Sequence, residues 1–162
     1  MRVHLSPALI RAIAVLLAMA LPTAASAQGA VHPDPARPHA GFKPHQLSFE
    51  TPADGVARAE FRSAPFFAVI LKSTSPCGVT EPERLAAQAL FPANKVFASR
   101  FGCESEPEEN VTYTNVRPNF GFLAVYAGAT AREAETFLAK VKATGRFPAA
   151  NVRQMQAVLV YP

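Results

Sequence analysis

One phrase is written twice in this chain. Phe91-Pro92-Ala93-Asn94-Lys95-Val96 is echoed by Phe147-Pro148-Ala149-Ala150-Asn151-Val152, and each copy follows a Thr-x-x-Glu helix opening, Thr80 to Glu83 and Thr130 to Glu133. A strand-helix-strand unit cannot cover its own sheet face alone, so two copies must pack side by side and share a core. The duplication restricts the domain to folds in which two related halves build one sheet.

The segment before the repeat divides in two. Arg2 and Arg11 precede an apolar run, Ala12 to Leu21, which Pro22 ends and Ala25-Ser26-Ala27 follows, as in a secretory signal cleaved after Ala27. A membrane-spanning helix needs about 20 apolar residues, and this run is far shorter, so no membrane anchor is expected after cleavage. The chain reads as periplasmic or secreted. Losing Arg2 and Arg11 lowers Lys plus Arg from 16 to 14, against 12 Asp plus Glu. With those cations scattered singly, the clustered basic face of a nucleic-acid binder is absent.

From Gln28 to His45 the chain carries Pro33, Pro35, Pro38 and Pro44 with few large apolar residues, a composition that favours extended, hydrated backbone. Residues 28–63 are expected to form a linker or N-terminal extension ahead of a domain at 64–162. His32, His39 and His45 lie within it and are read as solvated, because such spacing in a flexible segment preorganises no metal site. Residues 46–63 sustain no period, although Phe49 and Phe61 are able to dock on the domain.

The domain alternates strand and helix signals. Phe66 to Leu71 reads as a buried strand, and a helix capped by Thr80, with Glu83 reaching back, ends at Pro92. Val96 to Phe101 reads as a second strand, and Phe122 to Ala127 as the strongest. Ala134, Phe137, Leu138 and Val141 then line one face of a helix that Gly145 closes. A strand from Val152 to Tyr161 completes an α+β order β-α-β-β-α-β, the ferredoxin-like split βαβ arrangement. It implies a four-stranded antiparallel sheet with two helices on one face.

In that layout Cys77 and Cys103 follow the ends of the first and second strands, about 10 Å apart across one intervening strand. Their disulfide would close a loop of about 25 residues, worth about 3.5 kcal/mol on the chain-entropy model. From Arg58 onward the chain contains neither His nor Asp, so no Cys-His or Ser-His-Asp arrangement forms within the domain. The reading is of a non-enzyme with no cofactor and no metal. Glu104, Glu106, Glu108 and Glu109 are a solvated acidic loop, without the Asp-rich spacing of a calcium site.

The sheet's other face then carries the function. Period two sends Phe67, Val69, Leu71, Leu123, Val125 and Ala127 toward the helices, and Phe66, Ala68, Ile70, Phe122, Ala124 and Tyr126 to the opposite side. An uncovered face normally reads polar there. Either a ligand binds it, and aromatic rings beside polar tips suit sugar, or residues 46–63 or a second subunit cover it. Phe97 lies beside these rings, and Arg153 joins them if the last strand keeps the register of the repeat.

The run Gly121 to Gly128, the helix from Ala131 to Gly145 and the turn Phe147 to Val152 together resemble the second half of a SPOR domain. The resemblance implies a ferredoxin-like fold that binds peptidoglycan glycan strands stripped of stem peptides. The residues at the matching positions, Phe122, Ala124 and Tyr126, would face the ligand, with Phe66, Phe97 and Arg153 around them. The alternative is an exported protein-interaction module that uses the same face or the Pro-rich extension to meet another envelope protein. One expectation is independent of both: unreduced, unfolded mature protein should contain no titratable thiol, and reduction should release two.

Overall fold

The computed structural model describes residues 31–37, 39–51, 60–99, 109–117 and 119–160. The expected signal peptide at 1–27, Cys103, and Glu104, Glu106 and Glu108 lie outside the described residues. Within them the chain is α+β, with two helices and two antiparallel sheets. The elements are β1 (Glu60–Arg62), β2 (Phe66–Thr74), α1 (Glu81–Leu90), β3 (Val96–Ser99), β4 (Val111–Tyr113), β5 (Gly121–Gly128), α2 (Ala131–Ala143), β6 (Asn151–Met155) and β7 (Ala157–Val160).

The two halves of the repeat interlock in the larger sheet, whose order is β3-β5-β2-β6. Helix α1 carries the chain from β2 past β5 to β3, and α2 carries it from β5 past β2 to β6. Each repeated phrase makes the same tight turn: Asn94 N donates to Phe91 O at 3.1 Å and Ala150 N to Phe147 O at 3.1 Å, with a proline at the second position of each. The two phenylalanines then meet, Phe91 lying 6.2 Å from Phe147 and 5.4 Å from Phe137 between ring centres. These rings join Val69, Leu71, Val96, Leu123, Val125 and Val141 in one core between sheet and helices.

The caps differ more than the sequence suggests. At α2 the box is complete: Glu133 Oε2 accepts from Ala129 N at 3.0 Å and Thr130 N at 2.9 Å, while Thr130 Oγ1 accepts from Glu133 N at 3.3 Å. That carboxylate packs against Gly128, where φ is +119° and an added Cβ would stand 2.6 Å from Oε2. At α1 only half forms. Thr80 Oγ1 accepts from Glu83 N at 3.4 Å, but the Glu83 carboxylate turns to Lys72 Nζ at 2.8 Å.

A single four-stranded sheet with one bare face is not what is found. The strand expected from Val152 to Tyr161 breaks at Gln156 into β6 and β7, which belong to different sheets. Strand β7 becomes the centre of a second sheet, ordered β1-β7-β4. The crossing is pinned by polar groups: Gln156 N donates to Thr114 Oγ1 at 2.8 Å, Gln156 Nε2 to Ser63 O at 3.0 Å, and Ala157 N to Ser63 Oγ at 3.0 Å.

The second sheet and the extension cover the face opposite the helices. Leu47 and Phe49 of the extension are buried with Phe66, Ala68, Ile70, Phe97, Phe122 and Ala124 from the larger sheet and with Val111, Tyr113, Ala157 and Leu159 from the smaller. Ala98 N donates to His45 O at 2.9 Å and Leu47 N to Tyr113 Oη at 3.1 Å. Part of the region expected as a linker is therefore integral to the fold. Replacing Leu47 by Ala should lower the unfolding free energy by about 2–5 kcal/mol in urea titrations, whereas a linker position would change it by less than about 0.5 kcal/mol.

Candidate functional site

The residues expected to form a glycan platform are placed together as alternation requires, but most form a core. Phe66, Phe97 and Ala124 are fully buried and Phe122 is 3 % exposed. Their rings pack on one another and on the cover, Phe97 lying 5.2 Å from Tyr113 and 5.9 Å from Phe122. The reason is thermodynamic: rings of this size on water would forgo about 1.5–3 kcal/mol each, and Leu47, Phe49, Tyr113 and Leu159 offer apolar partners. Tyr126 is half-buried, tilted on Phe66 at 5.7 Å. Its hydroxyl pKa is pushed up by burial and by the negative charges of Glu133 and Asp34.

Arg153 has a different fate. On β6, Val152 packs toward the helices and Met155 into the second core, so alternation places Asn151 and Arg153 on the formerly open side. Both are exposed and line a pocket of about 230 Å³ at the end of the sheet that the cover leaves free. Its floor is Ile70, Gly121 and Phe122, and Ser73, past an irregular step in the β2–β5 pairing, stands at its side. The loop from β4 to β5 supplies Asn115, Val116, Arg117 and Phe120. Asn115 and Asn119 adopt left-handed backbone there, with φ of +57° and +64°, a conformation asparagine tolerates better than most residues. Asn115 Nδ2 anchors the loop by donating to Gln154 O at 3.0 Å.

This pocket combines an aromatic surface with hydrogen-bond donors. Phe120 is 44 % exposed, and the Arg117 guanidinium lies 5.8 Å from its ring centre. Arg153 Nε is 3.3 Å from Asn151 Oδ1, which turns the guanidinium along the strand. Apart from Arg153 and the floor residues Ile70 and Phe122, the sequence reading misses these residues. The signals were an asparagine-bounded turn around Arg117 and a phenylalanine following that turn.

Two further expectations change. His45 is not a solvated linker residue: its Nε2 lies 3.3 Å from Glu109 Oε1, with side chains only 5 % and 3 % exposed. Gln46 Nε2 donates to the same oxygen at 2.6 Å, so Glu109 is not part of a solvated loop either. Burial by itself pushes the Glu109 carboxyl up, but hydrogen bonds from His45 and Gln46, with the positive fields of His45 and Lys43, outweigh it and hold the pKa below its usual 4.5. So enclosed a pair clamps the extension to the domain rather than meeting a substrate. Cys77, just before α1, carries no free thiol. Among the described residues no group of three or more His, Cys, Asp or Glu is placed to hold a metal, and no helix is long and apolar enough to cross a membrane.

The sign of the Glu109 effect follows from its lowered pKa. The stabilisation is fully present above the unfolded value near 4.5 and is lost as pH falls through the lower folded value. Glu109→Gln should be less stable than the native protein at pH 7, and urea titrations should show that gap narrowing as pH drops below about 4.5.

Comparison with protein-family models, with curated proteins and with solved structures finds no match to this chain.

Proposed function

We propose that this chain is an exported, non-catalytic module that binds the glycan strands of peptidoglycan, and that its core is a split βαβ domain of SPOR-like type to which a second sheet has been added. The order β3-β5-β2-β6 with two crossing helices supports the fold reading. The binding reading rests on one observation: among the described residues a pocket at the end of the sheet face brings Phe120, 44 % exposed, together with Arg117, Arg153, Asn115, Asn151 and Ser73. A sugar ring packs its C–H face on an aromatic ring while guanidinium, amide and hydroxyl groups bond its oxygens. The cover over Phe66, Phe97, Phe122 and Ala124 moves the proposed contact from the middle of the sheet to its end. The same cover occupies the sheet face a protein partner would use in the alternative reading, while much of the Pro-rich segment, including Pro35, Ala36 and Arg37, stays exposed.

Sedimentation with purified sacculi, before and after amidase removes stem peptides, tests this. The native protein should co-sediment, and Phe120→Ala should weaken retention by about tenfold, the scale of a lost aromatic contact of 1–1.5 kcal/mol. Tyr126→Ala should have a smaller effect on binding than Phe120→Ala, because much of the Tyr126 ring packs on Phe66. Absence of binding to both sacculus preparations would refute the assignment.

A further inference from the structure

The charge pattern of the pocket says more about its ligand than its shape does. Among the other described arginines, Arg37 pairs with Asp34, Arg62 with Glu60 and Arg84 with Glu81, while Arg132 and Arg146 each share a groove with a glutamate, Glu133 and Glu83. Arg117 and Arg153 line one pocket, and neither has a carboxylate partner among the described residues. Among the described residues no acidic side chain lines that pocket, whereas the groove beside α1 that contains Lys72 and Arg146 also contains Glu83. Two permanently charged guanidiniums in one small concavity repel each other, and an anion there relieves the repulsion. Arg153 has one nitrogen directed to Asn151, and Arg117 is held by the Phe120 ring, so each keeps donors for a planar, bidentate acceptor.

We infer that the pocket binds a saccharide through a carboxylate carried on the sugar, with Arg117 and Arg153 as the carboxylate-binding residues and Phe120 as the ring contact. The inference rests on the glycan reading for its saccharide part and on the unmatched guanidiniums for its carboxylate part. Two sources supply the same chemistry: the lactyl carboxylate of wall glycan freed of its peptides, and the ring carboxylate of a uronic-acid polymer. Each presents a flat anion beside a hydrophobic C–H face.

The test uses calorimetric titration of the full mature chain with three probes. They are amidase-prepared wall glycan oligomers, the same oligomers with carboxylates converted to primary amides, and an oligo-uronate of similar length. The acid form of a carboxylated saccharide should bind at least about tenfold more tightly than its amide, the least expected for a charge-assisted pair. Rising salt should shrink that preference, and it should vanish in Arg117→Gln and Arg153→Gln while amide-form binding persists. Thermal unfolding of both variants should match the native protein, as both positions are exposed. Equal binding of acid and amide forms would overturn the carboxylate assignment and leave the wall-glycan reading standing. Binding of the oligo-uronate alone would support the carboxylate site and overturn the wall-glycan reading. If no carboxylated saccharide binds, the inference is wrong.

Discussion

A sheet that is apolar on both faces cannot stay in water with one of them bare, and this constraint organises the molecule. Strand β2 alternates Phe67, Val69 and Leu71 with Phe66, Ala68 and Ile70, and β5 alternates Leu123 and Val125 with Phe122 and Ala124. The helices cover one set. The other set draws in whatever apolar surface the chain offers, which here is the extension at Leu47 and Phe49 and a small sheet centred on β7. Edge-to-face and tilted ring pairs such as Phe66 with Phe97 and Tyr113 with Phe122 then give this second core a specific geometry.

The repeat and its consequences were legible because they are local. The Thr130 box, the positive φ of Gly145 at +68°, the matched turns at Phe91 and Phe147 and the two-residue alternation on β2 and β5 each follow from residues within one turn or strand. What escaped depends on partners far apart in sequence. His45 is buried because Glu109 and His45 meet across 64 positions, and nothing near His45 in the chain announces that. Leu47 and Phe49 sit in a segment without a period, so cover by residues 46–63 was readable only as one alternative to a bound ligand or a second subunit, and it is the one found. Strands β1 and β4 have three residues each, too short for any pattern to be read.

The candidate site was half legible for a related reason. The register of the repeat put Arg153 on the side of the aromatic face, one of two alternatives for the last strand, and it is found there. The cover then selected among the residues of that face, taking the rings at its centre and sparing the polar end. An aromatic residue in a strand is ambiguous between recognition and packing, and area decides: burying a Phe side chain gains more than a shallow contact with a dilute ligand can. In the proposed reading, recognition is left to rings that the core does not bury, such as Phe120.

Splitting the final β segment at Gln156 has a consequence for how the chain assembles. Strands β1 and β4 pair with β7 and not with each other, so neither has a neighbour until residues beyond 156 are present. A ribosome that releases the N-terminal part first holds an incomplete molecule whose aromatic surface lacks the smaller sheet's central strand until near the end of release. Such late, long-range closure slows folding.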